Sequence, residues 1–441
     1  MKLPEYALRC ISLLEDAGFA TYAVGGCVRD ALLVLQPHDF DLCTAATPEE
    51  MQAVFADFRL VLAGLKHGTV GVVTEGQVVE ITTFRTEGDY TDSRHPGWVR
   101  FVRSIEQDLA RRDFTVNAMA YSPTRGYADP FGGQQDLENR VLRAVGDPTT
   151  RFTEDALRIL RGVRFSVKYA LSPEKPTLDA MFSLAASMEH LAAERIFEEL
   201  CKLLPLINAD QCVLFAPILC QVIPELTPLL GFDQKSPYHI YDIYTHTAKV
   251  VENIPPIPAL RWAALLHDIG KPAAFSVDAK GIGHFPGHAQ ISAQMADSVL
   301  RRLKAPTALR EQVVRLIDRH MVPLTADRKI LRRRLNQYGP EDTGLQLQLQ
   351  RADCIATGTR TDDSEWAPVA QLLERLLAED ACLQLKDLAV NGKDLEALGF
   401  APGKAMGQCL QHLLCQVVDE VLPNEKNALL AEAQRYWEER K

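Results

Sequence analysis

The chain has 441 residues, of which 47% are hydrophobic, 24% charged and 7% aromatic; this excludes a disordered or fibrous protein and exceeds one ordinary domain. A formal net charge of −10 argues against indiscriminate nucleic-acid binding, because neutralising phosphates takes clustered Lys and Arg. Ten cysteines without a C-x-x-C pair read as reduced core residues, and no apolar run suits a membrane span or a secretory leader, so a cytoplasmic protein is expected.

Residues 21–145 alternate short β-rich runs (TYAVGG, GTVGVVT, VVEITTFR, VRFV) with polar loops, and TPEEMQAVFADF carries a helix signal. From TTRFTEDALRILRGVRF onward, apolar residues recur at spacings of three and four almost to Lys441. The expected fold is α+β: a small mixed-sheet head followed by a mostly α-helical body. Polar, turn-rich stretches place boundaries near 148, 235 and 358, dividing the chain into 1–148, 149–235, 236–358 and 359–441.

The first chemistry lies in VGGCVRDALLVLQPHDFDL, residues 24–42. In a strand, side chains at i and i+2 leave the same face, so Asp39 and Asp41 present two carboxylates to one point, a donor pair that suits Mg²⁺ together with substrate phosphates. Gly25 and Gly26 let the backbone approach a polyphosphate at a helix start, and Arg29 adds a cation. Nucleotidyl transfer needs this combination of metal pair and triphosphate cradle. Glu80 in VVEITTFR is the expected third carboxylate, and RRDFTVNAMAY supplies Arg112, Asp113 and Asn117 for phosphate and ribose hydroxyls.

GGCVRDALL…DFDLCTAATPEE, KHGTVGVV, VEITTFRTEGDYTD, DLARRDFTVNAMAY, DPFGGQQDLENRVLRAV and RFTEDALRILRGVRF together resemble the class II tRNA nucleotidyltransferases, the bacterial CCA-adding enzymes with a polymerase-beta-like head. The resemblance implies a template-independent polymerase acting on tRNA with CTP, ATP and Mg²⁺. It makes residues 1–148 the catalytic head, 149–235 a base-selecting neck and 359–441 a tRNA-binding tail. It further implies that the E-D-x-x-R motif, Glu154, Asp155 and Arg158, reads the base. On one helix Asp155 and Arg158 would be neighbours; Arg161 and Arg164 continue the series, each step turning about 60°, with salt bridging in the helical layer as their alternative role. TEGDYTDSRHPGWVRF, residues 86–101, resembles the family's flexible loop, whose presence favours full CCA addition. Alternatives are an A-adding, CC-adding or poly(A) enzyme.

Within 236–358, His246, His267-Asp268, His288, His320 and Asp353 follow one another in an order that resembles the HD phosphohydrolases. Mixed imidazole and carboxylate donors suit Mn, Fe, Co, Ni or Zn. His246, His267, Asp268 and Asp353 form a one-metal set, which His288 and His320 extend to two, with the doublet expected inside the apolar helix WAALLHDIG. A hydrolase with a vestigial nucleotide-binding head is therefore the rival reading. Eleven Lys or Arg face three acids between Arg301 and Arg334, a basic surface or a solvated helix face. Gly392, Gly399, Gly403 and Gly407 suggest helix-hairpin turns, for RNA phosphate or for packing.

Overall fold

The computed structural model describes residues 1–37, 39–88, 99–359, 364–379 and 382–439. Two compact units emerge: residues 1–207 with 214–224, and residues 208–213 with 225–441.

The first unit is built on a seven-stranded mixed sheet. Its strands are β1 (Thr21–Val24), β2 (Leu42–Thr44), β3 (Arg59–Val61), β4 (Thr69–Thr74), β5 (Gln77–Thr83), β8 (Ala120–Ser122) and β9 (Gly126–Ala128), in the order β3-β4-β5-β2-β1-β8-β9. A separate hairpin pairs β6 (Arg85–Glu87) with β7 (Val99–Phe101), the stems of the loop expected to be flexible; residues 89–98 of that loop lie outside the described residues. β2 and β5 run parallel and the other neighbours antiparallel. Helices α1 (Glu5–Asp16) and α3 (Pro48–Val54) cover one face, over Val70, Val72, Val79 and Ile81, each at most 1% exposed. Sequence explains where α3 begins: Thr47 and Glu50 form a reciprocal capping box, and Pro48 sits where a missing N–H costs nothing. Helix α2 (Gly26–Leu32) leaves the end of β1, and α4 (Ile105–Ala110) is capped by Ser104.

Beyond α5 (Gly133–Glu138) come α6 (Pro148–Glu154), α7 (Leu157–Tyr169), α8 (Lys175–Ser183) and α9 (Ala193–Leu203), the last packed on α7. Asp155 falls between α6 and α7 in an extended conformation (φ −144°, ψ 103°), so it shares no helix with Arg158 as the motif spacing implied. Its own side chain causes the break: a carboxylate oxygen accepts the Leu157 N–H at 3.0 Å and so caps α7.

The second unit is helical, with one two-residue strand pair among the described residues, Ser276–Val277 with Gly283–His284. Helices Ile243–Asn253, Pro258–Leu266, His288–Arg302, Thr307–Arg319 and Pro340–Ala356 pack together, the first capped by Asp242. A further apolar cluster around Leu395, Cys409, Leu413 and Leu429 joins helices Gly392–Ala397, Lys404–Val418 and Lys426–Glu438. Of the four C-terminal glycines, Gly399 (φ 93°) and Gly403 (φ 145°) make the turn between two helices, whereas Gly392 and Gly407 are helical. The basic run is offset by acids: Arg328 pairs with Glu379 and Glu420 at 2.6 and 2.7 Å, Arg333 with Asp419 at 2.6 Å, and Arg332 donates to the Val417 and Val418 carbonyls. All ten cysteines are free thiols. Among the described residues no helix is long and apolar enough to cross a membrane.

Candidate nucleotidyl-transfer site and a second histidine-aspartate site

The sheet register sets Asp41 beside Glu80, with Asp39 two residues before Asp41 in sequence. Asp39 and Asp41 do not lie in a strand as their spacing suggested; they sit in the loop entering β2, where the Asp41 carbonyl accepts the Val24 N–H at 3.0 Å. Leu42 pairs with Ile81, and both are buried, so Asp41 and Glu80, one residue earlier on each parallel strand, turn to the face opposite α1 and α3. Asp39, Asp41 and Glu80 are all exposed. Although Asp41 reaches solvent, partial desolvation by its flanking chain, then the charges of Glu80 and Asp39, hold its carboxyl above the usual range. Crowded like charges of this kind favour a cation among them.

At the glycine turn, Gly25 adopts φ 73° and ψ −121°, a conformation that favours glycine, and Arg112 Nη1 lies 2.8 Å from where a Cβ would stand. Arg112 is therefore the cation nearest the turn. It is held only by Asp108 at 3.4 Å, and its Nε has no hydrogen-bond partner among the described residues. Arg29, by contrast, is 5% exposed and already occupied: it donates to Asp30 (2.8 Å), to Asn117 Oδ1 and to the Tyr169 hydroxyl, with its plane 4.1 Å from the Tyr169 ring centroid. Asn117 donates in turn to Asp113 at 3.0 Å, and Asp113 accepts from the Phe114 N–H at 2.8 Å and from Arg161 Nε at 2.9 Å. Burial alone would raise the Asp113 carboxyl, but Arg161 and these donors bring it down to about 2. Arg29 and Arg161 thus belong to one buried network that ties α2 to α7.

Around the E-D-x-x-R motif, Glu154 bridges Arg158 (2.6 Å) and Arg151 (2.8 Å), while Arg158 also donates to the carbonyls of Arg151 and Arg111. Asp155 instead faces Arg195 of α9, which grips it with two nitrogens at 2.8 and 3.3 Å. Arg164 pairs with buried Glu199 at 2.5 Å, the salt bridge within the helical layer that was its alternative role. Sequence reasoning missed Arg195, Tyr169, Phe165 and Asp108. Asp108 opens the quoted DLARRDFTVNAMAY and Phe165, whose ring lies 4.3 Å from Arg164 and 5.2 Å from Arg161, closes RFTEDALRILRGVRF; Arg195 and Tyr169 lie outside every quoted motif.

In the second unit the six HD residues do meet. His246 and His267 approach Asp353 at 2.9 and 3.7 Å and Asp268 at 3.6 and 3.2 Å, while His288 lies 3.4 Å from Asp268 and 3.2 Å from His320. Every Nδ1 is held by a backbone carbonyl, of Ala356, Ala264, Phe285 and Ile317, which turns all four Nε2 atoms inward. His246 Nε2, His267 Nε2 and Asp268 Oδ2 are buried and face one another. Inward-facing imidazole and carboxylate lone pairs in this arrangement fit a metal ion, and two ligand groups form, His246-His267-Asp268 and Asp268-His288-His320. The doublet is not inside a helix: Pro258–Leu266 ends before it, His267 is the C-cap, and Asp268 begins the following turn. Lys271, missed earlier, salt-bridges Asp268 at 2.7 Å. His239, also missed, sets its ring edge-on to His246 with centroids 5.1 Å apart.

Comparison with known proteins agrees with this architecture. The Poly A polymerase head domain matches residues 21–143, the RNA and SrmB-binding site of polymerase A residues 170–214, and tRNA nucleotidyltransferase domain 2 residues 281–433. These matches and the site geometry define a nucleotidyltransferase head on a helical body. A CCA-adding enzyme of Streptococcus thermophilus is 34% identical over 431 residues, covering 96% of this chain and 95% of that protein. The Bacillus stearothermophilus CCA-adding enzyme in complex with CTP superposes with a TM-score of 0.73 at 28% identity, over 100% of this chain and 99% of that one. The Thermotoga maritima CCA-adding enzyme complexed with tRNA shares the fold at 19% identity (TM-score 0.60; 99% and 96% covered). The chain belongs to the family of CCA-adding enzymes.

Proposed function

We propose that this chain adds CCA to tRNA 3′ ends from CTP and ATP without a template, in the cytoplasm, with the head at 1–148, a base-selecting neck at 149–235, the metal-binding helices at 236–358 and a tRNA-binding tail at 359–441. The observation that carries this reading is the placement of Asp41 beside Glu80, with Asp39 in the same loop, next to the Gly25-Gly26 turn. Asp39 and Asp41, with Glu80 alongside, would hold Mg²⁺, which when bound lowers the pKa of the acceptor 3′-hydroxyl and offsets the charge of the departing pyrophosphate. The Gly25-Gly26 backbone accommodates the triphosphate and Arg112 adds a positive charge to it, while Arg29, Asn117 and Asp113 keep that turn in place. Glu154, Asp155 and Arg158 read the base by exchanging part of their present bonds for the amino and ring-nitrogen pattern shared by C and A. Arg161 and Arg164 support that helix through Asp113 and Glu199.

The test is to incubate tRNA lacking its last three residues with each nucleotide separately and together, then sequence the products. CC with CTP alone and CCA with both nucleotides are expected. Addition of A only, of CC only, or of a long A tract would instead assign one of the three alternatives. Asp39→Ala and Asp41→Ala should each abolish incorporation with little change in thermal unfolding, since both side chains reach solvent.

The four Nε2 atoms turned inward beside Asp268 and Asp353 favour a second activity in the helical unit, metal-dependent phosphoester hydrolysis with Mn, Fe, Co, Ni or Zn. His267→Ala should abolish metal uptake and hydrolysis and leave CCA addition intact. Hydrolysis by a wild-type protein that adds no nucleotide would favour the rival hydrolase reading.

A further inference from the structure

We infer that the head sheet, on its face opposite α1 and α3 where β5 and β3 stay open to solvent, carries a shelf for the last nucleotides of the acceptor RNA, formed by Val78, Val61 and Arg59; this rests on the nucleotidyl-transfer reading above. The register builds the shelf outward from the carboxylates. Gly71 of β4 pairs with Glu80 on one side and Val61 on the other, and Val73 pairs with Val78 and with Arg59. Val78 precedes Glu80 by two residues on β5 and so shares its face, as Arg59 shares the face of Val61 on β3. A Cβ on Gly71 would stand 3.1 Å from Val61 Cβ and 3.1 Å from Val78 Cγ1, so the two valines close over the glycine directly beside Glu80. Both nevertheless stay open to solvent, Val78 at 56% and Val61 at 42%. Arg59 is exposed and has no acidic partner among the described residues.

Direction comes from the chemistry. In-line displacement puts the attacking oxygen and the leaving pyrophosphate on opposite sides of the phosphorus. Across the sheet the glycine turn stands at β1, the carboxylates at β2 and β5, and then β4 and β3. With the triphosphate over β1, the attacking 3′-oxygen approaches over β5, and the acceptor strand behind it passes over β4 and β3. Val61 lies two strands from Glu80, about 10 Å, and Arg59 about 7 Å further along β3. A shelf of valines makes non-directional contact with a ribose or base face and does not discriminate among bases. That suits an acceptor whose terminal base changes after each addition, while Arg59 neutralises a phosphodiester behind it.

The test measures KM for a tRNA acceptor minihelix, KM for CTP at saturating acceptor, and thermal unfolding. The double variant Val61→Ser/Val78→Ser should raise the acceptor KM about tenfold and leave the CTP KM unchanged. If that variant loses stability, Val78→Thr, isosteric and strand-favouring, replaces it. Arg59→Gln should lower the slope of log KM for acceptor against log salt by about 0.7, and Arg59→Lys should keep it. An unchanged acceptor KM and salt slope, or an equal rise in the CTP KM, would overturn the shelf. A wild-type protein that adds nothing overturns the transferase reading first, which separates the two failures.

Discussion

Asp113 is buried, yet it is held ionised by Arg161, Asn117 and the Phe114 N–H, at about 2 against an ordinary 3.8. A depressed folded value stabilises the protein above the unfolded one, and that contribution, about 2 kcal/mol, is lost as pH falls from roughly 4 to 2. Asp113→Asn should therefore flatten the acid limb of a stability-against-pH curve in that window while lowering the plateau near neutrality; an unaltered acid limb would refute the assignment. Val34 raises a different issue. A β-branched residue at φ 59° and 92% exposed is strained without any packing to justify it. Val34→Gly should stabilise by roughly 0.5–1 kcal/mol in denaturant titration, the relief of strain exceeding glycine's entropy cost. Neither feature was legible in the chain. Asp113 could be assigned to nucleotide contact from its motif, but its partner Arg161 lies 48 residues away, and Arg29 was taken for a phosphate cation because Asn117 and Tyr169, which occupy it, are 88 and 140 residues distant.

At the level of elements, periodicity located the strands and the helical body well, because alternation and capping are local: Thr47-Glu50 and Asp242 announce their helices in sequence. Breaks within a helical pattern were harder to see. The motif spacing put Asp155 and Arg158 on one helix, and the apolar run put His267-Asp268 inside another; in both places a capping or turn conformation ends the helix just there. The break at Asp155 hands the carboxylate to Arg195 of α9, and on the base-reading role proposed above that contact bears on base choice. Arg195→Ala should leave the CCA reaction able to proceed but raise misincorporation of UTP or GTP at least severalfold, the loss of one charged hydrogen-bond pair costing about 1–3 kcal/mol. Equal slowing with every nucleotide would mean that Arg195 only packs the neck.

For the whole molecule, the two units concentrate unlike donors: oxygen donors on the head's sheet, imidazole with carboxylate in the helical unit. Composition excluded membrane and fibrous classes but could not show which of the eleven histidines meet, since His246 and Asp353 are 107 positions apart. Ion binding to the histidine-aspartate cluster should stabilise only the unit that carries it. Adding Mn²⁺, Co²⁺ or Ni²⁺ to chelator-treated protein at about 100 times the dissociation constant should raise stability by about 2.7 kcal/mol, in wild type and not in His267→Ala. A response identical in both would place the ion elsewhere.

The strand order of the head has a consequence for traffic through the site. With the glycine turn at one end of the sequence β1-β2-β5-β4-β3 and the proposed RNA shelf at the other, spent pyrophosphate and fresh nucleotide would exchange through one port while the growing strand occupied a different one. Clearing the first port does not require vacating the second. The acceptor need only slide by one nucleotide along a surface indifferent to its bases, so successive additions can follow one another on a strand that never leaves.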